Sequence, residues 1–184
     1  MGDVGISRMR RAIAVVAVGA LAAGLLVLVA PAAQAAEGST VRVQLGESYS
    51  GRGEQVRSYV VGRGALAAAA TCWRSAQITV WEKNLLGQNL YHTTMNPVTW
   101  CGANGKITSV TYNKGTAAAD RSPWGFDKWL KHGKVDGCVG CSYIHYREDA
   151  QFKAVTSPLT LYGHTFVDTY FRPDGRYDGS TGGN

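Results

Sequence analysis

The chain has 184 residues, with 19 Lys and Arg against 13 Asp and Glu and a formal net charge of +6. The basic residues are dispersed along the chain and form no dense stripe, so a nucleic-acid partner is not expected. A mild excess of this kind is typical of a solubilising surface charge.

Residues 1–36 have the three parts of a secretory signal peptide. Three arginines among the first eleven residues precede an apolar run over residues 12–30, and the small-residue pattern Ala33-Gln34-Ala35 follows. We expect cleavage after Ala35 or after Ala36. The apolar run is long enough to span a bilayer as a retained anchor, but the cleavage pattern favours its removal.

Removal of residues 1–36 leaves 148 residues, which is enough for one domain. The leader takes three arginines and one aspartate with it, so the mature chain keeps 16 basic and 12 acidic residues. No cysteine lies near the cleavage site to carry a lipid. We therefore expect a secreted, extracellular monomer that touches a membrane only through the signal peptide before cleavage.

Short alternating segments dominate the mature chain. Residues 37–64 are polar and glycine-rich and form either a lead-in or the first strands. From Cys72 onward, runs rich in β-branched and aromatic residues alternate with Gly, Asn and Pro turns. We predict an all-β domain over residues 65–177, a small antiparallel β-sandwich or barrel. Trp124–Lys131 is the one segment that could form a short helix, and residues 178–184 are predicted to be a flexible tail.

Four cysteines in an exported chain favour two disulfides. Suppose that Ala76–Lys83 and Leu90–Met95 form a hairpin around the turn between them. The two residue numbers of each opposed pair then add up to the same total along the whole hairpin. The same register then brings Cys72 opposite Cys101, within disulfide range. The opposed pairs inside the hairpin are Ile78 with Met95 and Val80 with Thr93.

Cys138 and Cys141 then remain to close a tight loop. The alternative is that one of them joins the later half of the chain to the earlier half. A C-x-x-C pair can also be redox-active or form half of a zinc site. No second C-x-x-C or His pair at ligand spacing supports those interpretations, and no cofactor or metal is expected.

The densest polar and aromatic run of the chain is Y-I-H-Y-R-E-D. If residues 142–147 are a strand, Tyr143, His145 and Arg147 share one face. Together with Glu148, the histidine and arginine could form an acid–base site of the kind that small secreted ribonucleases use. The interpretation that we favour is a solvent-facing strand that ends in a turn at the two acids after Arg147.

Five tryptophans and nine tyrosines are many for a chain of this length. Exposed Trp and Tyr rings can stack on sugars or anchor a protein partner, whereas most large aromatic side chains of a small β domain are core. We expect Trp81 and Trp100 in the core, and we take Trp124, Trp129 and Tyr143 as candidate binding residues.

Two segments carry a resemblance to a known group of proteins. K-N-L-L-G-Q-N-L-Y begins at Lys83, and W-C-G-A-N-G-K-I-T begins at Trp100. Together they resemble a K-N-L-L-G…W-C-x-x-G-x-x-I-T pattern of small secreted proteins of high-GC Gram-positive (actinobacterial) bacteria, a match over about residues 72–171. The resemblance implies export and a shared fold, and it carries over no catalytic residue because that group has no established activity. The Cys138-x-x-Cys141 pair is an addition to that pattern.

These features predict a secreted, non-catalytic β domain that binds a cell-envelope polymer or another secreted protein. The sequence contains no serine nucleophile elbow, H-E-x-x-H motif, phosphate loop or dinucleotide fingerprint. One alternative is a small secreted hydrolase or ribonuclease-like toxin that uses His145, Arg147 and Glu148. Another is a secreted protease inhibitor, for which no rigid, disulfide-flanked reactive loop can be named.

Overall fold

The computed structural model describes residues 40–61 and 68–183, so the predicted signal peptide lies outside the described residues. The described chain is all-β, with thirteen strands. None of its residues belongs to a helix long and apolar enough to cross a membrane. Strands β1–β13 are, in chain order, Thr40–Gln44, Ser48–Arg52, Glu54–Val61, Ala68–Arg74, Gln77–Lys83, Asn89–Met95, Thr99–Ala103, Lys106–Thr111, Thr116–Ala119, Trp124–Gly137, Ile144–Thr156, Leu159–Phe171 and Arg176–Gly183.

The strands form three sheets, which we call A, B and C. Sheet A has the order β1-β5-β6-β9, sheet B the order β10-β11-β12-β13-β2, and sheet C the order β3-β4-β7-β8. The predicted all-β fold is thereby confirmed. Neighbouring strands are antiparallel except for the edge pair β1 and β5, which is parallel. This exception arises because the chain leaves β1 for the far edge of sheet B instead of turning back beside it.

One long hairpin, β4–β5 paired with β6–β7, supplies strands to both sheet C and sheet A. Ile78 lies opposite Met95 and Cys72 lies opposite Cys101, which confirms the predicted register. A disulfide joins Cys72 to Cys101, and the C-x-x-C pair closes the second disulfide. Both predicted disulfides are therefore present.

The hairpin bends between the two sheets without losing this register. The Ser75 N–H donates to the Val98 carbonyl oxygen at 2.9 Å, and the Val98 N–H donates to Ser75 Oγ at 3.0 Å. Pro97, which has no N–H to donate, lies where the sheet A ladder ends. The serine hydroxyl thus replaces a missing ladder bond at the bend.

The main core lies between sheet B and the inner sides of sheets A and C. Trp100 is fully buried there, as predicted, with its ring 4.8 Å from that of Phe171. Its Nε1–H donates to the Arg172 carbonyl oxygen at 2.7 Å, so the buried indole has a partner. A smaller second cluster, at the end of the sandwich where β6 faces β11, is formed by Tyr91, Ala150 and Phe152.

Strand β10 replaces the predicted short helix at Trp124–Lys131. It is the edge strand of sheet B, and its pairing with β11 contains three bulges. The first bulge, at Asp127, shifts the alternation by one residue, so Trp124 and Trp129 both reach the second cluster although five positions separate them. The bulges therefore create an inward spacing that resembles a helical period, which is why the sequence pattern was misleading.

The two acids after Arg147 do not form the predicted turn. Strand β11 continues through them to Thr156, and both side chains are buried. Burial is possible because each carboxylate has partners: Glu148 contacts His132, and Asp149 accepts two hydrogen bonds from Arg147.

The polar ends of the mature chain are also strands where they are described. Residues 40–61 supply β1, β2 and β3, and residues 178–183 of the predicted flexible tail belong to β13. The Thr181 hydroxyl in β13 is hydrogen-bonded to the Gln44 carbonyl oxygen at 2.6 Å. A Cβ at Gly179 would lie 2.6 Å from the hydroxyl oxygen of Tyr49. This glycine therefore permits close packing of neighbouring strands.

We expect the two disulfides to stabilise the fold unequally. The Cys72–Cys101 bond spans a sequence separation of 29 residues and the Cys138–Cys141 bond one of 3. A longer loop loses more entropy on closure in the unfolded chain, so Cys72→Ala/Cys101→Ala should lower the free energy of unfolding by about 4 kcal/mol and Cys138→Ala/Cys141→Ala by about 2 kcal/mol. Urea unfolding followed by tryptophan fluorescence measures both; an equal or reversed order would contradict this expectation.

Candidate functional site

Strands β11 and β12 pair over their full length, with one side towards the core and the other towards solvent. Ile144 and Tyr146 of β11 and Val167 and Phe171 of β12 are core residues, so the residues between them lie on the opposite side. We call that side, with Tyr143 just before β11, the outer face. Its members are Tyr143, His145, Arg147, Asp149, His164, Phe166, Asp168 and Tyr170.

A row of contacting imidazole, carboxylate and guanidinium groups crosses the outer face. His145 Nε2 contacts one oxygen of the Asp168 carboxylate, and the other oxygen lies 3.6 Å from Arg147 Nη1. Arg147 also donates from Nε and Nη2 to Asp149 Oδ2 at 3.2 and 2.9 Å. The second Asp149 oxygen lies 3.0 Å from His164 Nδ1. His145, Arg147 and His164 therefore each have a carboxylate partner on β11 or β12.

Aromatic rings lie flat against these charged groups. The Tyr170 ring stacks on His145 with centroids 3.9 Å apart, and the Arg147 guanidinium lies 4.0 Å from the centroid of Phe166. The Tyr143 ring is 6.1 Å from that of Tyr170, which is itself 36% exposed. The outer face thus combines exposed tyrosine rings with polar side chains that are held in place by contacts with one another.

The structure separates the residues of the predicted catalytic set. His145 and Arg147 lie on the outer face, whereas Glu148 is fully buried on the other side of the sheet. Adjacent residues of an unbroken strand point to opposite sides, so the three side chains cannot act on one substrate. His145 is only 6% exposed, and the acid that it contacts is Asp168.

The predicted binding residues are divided in the same way. Tyr143 lies on the outer face, where its hydroxyl donates to Asp136 Oδ2 at 2.7 Å; this bond raises the pKa of the tyrosine and lowers that of the aspartate. Trp124 and Trp129 lie on the inner side, half-buried against the second cluster. The Trp124 ring is 4.8 Å from that of Tyr91. These two tryptophans act as packing residues here.

Trp81, expected in the core, is half-buried on the far side of sheet A. The Arg42 guanidinium lies 5.2 Å from its ring centroid. Both residues line a cavity of about 430 Å³ at the edge of the sheet, together with Glu82, one of whose carboxylate oxygens is buried without a hydrogen-bond partner among the described residues. Burial raises the pKa of Glu82. Since Arg42 already covers Trp81, this ring is not a free stacking surface.

A buried acid–histidine pair lies on the inner side of sheet B. Glu148 contacts His132 Nδ1 with one oxygen and accepts the Gly115 N–H at 3.0 Å with the other. The Trp129 ring stacks on His132 at a centroid distance of 4.0 Å. Burial raises the pKa of Glu148 to about 7, opposed by the hydrogen bond from Gly115, while burial and the nearby Lys114 lower the pKa of His132. Burial therefore favours the neutral form of both groups.

Sequence reasoning did not find the β12 half of the outer face. A signal was present, because every second residue from Tyr162 to Tyr170 is aromatic, histidine or aspartate. That alternation predicts a polar, aromatic strand face but not its neighbour. Only the register of β12 against β11 brings Asp168 beside Arg147 and His145 opposite Tyr170.

Glu148→Gln is expected to stabilise the protein at pH 8 more than at pH 4. Between about pH 4.5 and 7 the folded protein keeps a proton on Glu148 that the unfolded chain releases, so the free energy of unfolding of the wild type falls as the pH rises through this window. A glutamine does not titrate and keeps a donor for His132 and an acceptor for Gly115. The wild type should lose on the order of 3 kcal/mol relative to the variant across the window.

Denaturant unfolding of both proteins at several pH values between about 4 and 8 tests this expectation. His132 is present in both proteins, so its own loss of stability at acid pH largely cancels in the comparison. The exposed Glu54→Gln is the matched control for the loss of one negative charge. A difference between wild type and Glu148→Gln that is independent of pH would mean that Glu148 does not titrate in this window.

Comparisons with known proteins add no assignment to this site. No family model matches the chain, and neither the curated proteins nor the solved structures include a significant match. Within residues 40–61 and 68–183, no group of three or more His, Cys, Asp or Glu side chains is arranged to hold a metal ion. The two disulfides are typical of a protein that works in an oxidising compartment.

Proposed function

We propose that the mature chain is a secreted, non-catalytic binding module whose outer face holds a polysaccharide of the cell envelope. The observation that carries the proposal is the combination of exposed tyrosine rings and polar side chains held in place by one another on one solvent-facing pair of strands. The two exposed rings of β12, Tyr162 at 61% and Tyr170 at 36%, lie eight residues apart, about 26 Å along the strand, and Arg147 covers Phe166 between them. A row of this length fits an extended polymer better than a compact small molecule.

Secretion is supported from two sides. The first 36 residues have the pattern of a signal peptide, and all four cysteines of the mature chain are paired. The resemblance to small secreted actinobacterial proteins supports the same location.

A sugar polymer suits the chemistry of the outer face. Aromatic rings offer apolar surfaces on which the C–H faces of sugar rings stack. Carboxylates accept hydrogen bonds from sugar hydroxyls, and guanidinium groups donate hydrogen bonds to them. Asp149 and Asp168 already hold Arg147 in place. Binding would therefore require little ordering of side chains, which reduces its entropic cost.

The same geometry argues against the hydrolase alternative. The imidazole of His145 lies between the Tyr170 ring and Asp168 and has little access to a polymer substrate. Arg147 is shared between two carboxylates, so its charge is neutralised before any anion binds. Glu148, the third predicted catalytic residue, lies on the other side of the sheet.

Tyr170→Ala is expected to weaken binding to purified cell-wall polysaccharide on the order of tenfold, because it removes the exposed ring that stacks on His145. Tyr59→Ala is the matched control. Tyr59 is 38% exposed against 36% for Tyr170, and it lies on β3 of sheet C. Depletion of each protein from solution by insoluble cell wall, chitin and cellulose measures the binding.

Equal loss in both variants, or no retention of the wild type on any of the polymers, would refute this proposal. Co-purification of one stoichiometric secreted protein, released by Tyr170→Ala, would instead identify a protein partner. Circular dichroism of each variant verifies that the fold is retained.

We expect no cleavage of RNA or of cell-wall polymer by the wild-type protein. Product release is measured by chromatography after long incubation, with His145→Ala as the paired variant. A wild-type activity that disappears in His145→Ala while the thermal transition is retained would establish the hydrolase alternative and overturn the non-catalytic assignment.

A further inference from the structure

The turn between β5 and β6 holds two adjacent leucines in solvent. Leu85 is 106% exposed and Leu86 is 83% exposed, so neither contributes to the core. The turn is nevertheless firmly built: Asn84 Oδ1 accepts the N–H groups of Leu86 and Gln88 at 3.0 and 2.9 Å. Gly87 supplies the positive φ of 74° that the turn requires. Asn84 and Gly87 thus determine the turn, and folding does not require leucine at either tip position.

A second apolar end lies between β11 and β12. Val155, Leu159 and Leu161 flank this turn and are 63%, 64% and 51% exposed. Burial along β11 stops before this turn. Phe152 belongs to the second cluster, and Ala154 is the last buried residue of the strand. The end of this hairpin therefore presents apolar side chains beyond the body of the sandwich.

Both turns project from the same end of the molecule. Thr93 of β6 is hydrogen-bonded to Thr165 of β12 at 2.6 Å, and the Tyr91 ring stacks on Phe152 at 4.3 Å. From Thr93 the chain runs back through Tyr91 to Leu86, and from Thr165 β12 runs back alongside β11 to its turn. At the rise of a strand, each tip lies about 20 Å beyond the Thr93–Thr165 contact.

Two exposed basic residues belong to segments next to the β5–β6 turn. Lys83 is the last residue of β5, and the backbone N–H of Arg121 donates to the Leu90 carbonyl oxygen at the start of β6. Neither Lys83 nor Arg121 forms an ion pair within the described part of the chain. Of the nearby acids, Asp120 is paired with His92 and Asp127 with Lys153, whereas Glu82, next to Lys83, is half-buried with one oxygen that has no hydrogen-bond partner among the described residues.

We infer that this end of the sandwich docks on an anionic lipid bilayer, with the two leucines and the β11–β12 tip among the acyl chains and the two cations at the headgroups. Two separate protrusions suit a deformable lipid surface better than a complementary protein surface, which would require a continuous patch. Apolar groups that insert and cations that meet anionic headgroups strengthen membrane binding together. This contact adjoins the outer side of the sheet only at Tyr162, next to Leu161, and it differs from the sequence expectation, which limited membrane contact to the signal peptide before cleavage.

The experiment uses the protein exported from the full-length gene, with its processed N-terminus verified by mass spectrometry. Co-sedimentation with vesicles of phosphatidylglycerol and phosphatidylcholine is compared with vesicles of phosphatidylcholine alone. Leu85→Ser/Leu86→Ser is expected to lower the partition coefficient on anionic vesicles roughly tenfold or more. Val60→Ser/Val139→Ser is the matched control, since these valines are 69% and 57% exposed and belong to β3 and to the C-x-x-C loop at the opposite end.

The proposal expects three further results. Lys83→Gln/Arg121→Gln weakens binding to anionic vesicles only, added salt does the same, and Leu85→Ser/Leu86→Ser leaves thermal stability and polysaccharide binding unchanged. Failure of the wild type to bind anionic vesicles, or equal binding by the leucine variant and the valine control, would overturn it. So would self-association in the absence of vesicles that the leucine variant abolishes, because a second copy of the chain would then cover these tips.

Discussion

The fold depends on the register of one long hairpin that serves two sheets. In a strand, a shift of one residue exchanges the core side for the solvent side, so the pairing of β4–β5 with β6–β7 decides which side chains are buried. The Cys72–Cys101 disulfide fixes that register in sheet C, and the Ser75–Val98 bonds carry it across the bend into sheet A. Trp100 faces the core only in this register.

Sheet B uses both of its sides, and the two sides differ in chemistry. Its inner side packs against the hairpin and contains the Glu148–His132 pair, whose acid is kept away from water. Its outer side carries flat rings and a chain of polar side chains in which each imidazole and the Arg147 guanidinium has a carboxylate partner. We propose this sheet as the platform for a ligand, and we expect the titratable pair to couple its stability to pH.

The edges of this platform are protected and anchored. The edge strand β10 contains three bulges, which disrupt the flat ladder that another chain would need for pairing. The C-x-x-C loop follows the C-terminal end of β10 and is hydrogen-bonded to sheet C. The Gly140 N–H donates to the Ile107 carbonyl oxygen at 2.7 Å, and the Ile107 N–H donates to the Cys141 carbonyl oxygen at 2.8 Å. These two hydrogen bonds connect the platform to the hairpin layer, and the second disulfide closes the loop that makes them.

The sequence by itself determined the all-β class and both disulfides. These follow from local information, since alternation defines strands and the numbering of one hairpin places Cys72 opposite Cys101. Only the tertiary structure decided the rest. The bulges of β10 turned a helix-like spacing into an edge strand, buried partners carried β11 through Glu148, and the β11–β12 register assembled the outer face. Side-chain alternation specifies two faces of a strand, but which face meets which neighbour depends on contacts between segments distant in the chain.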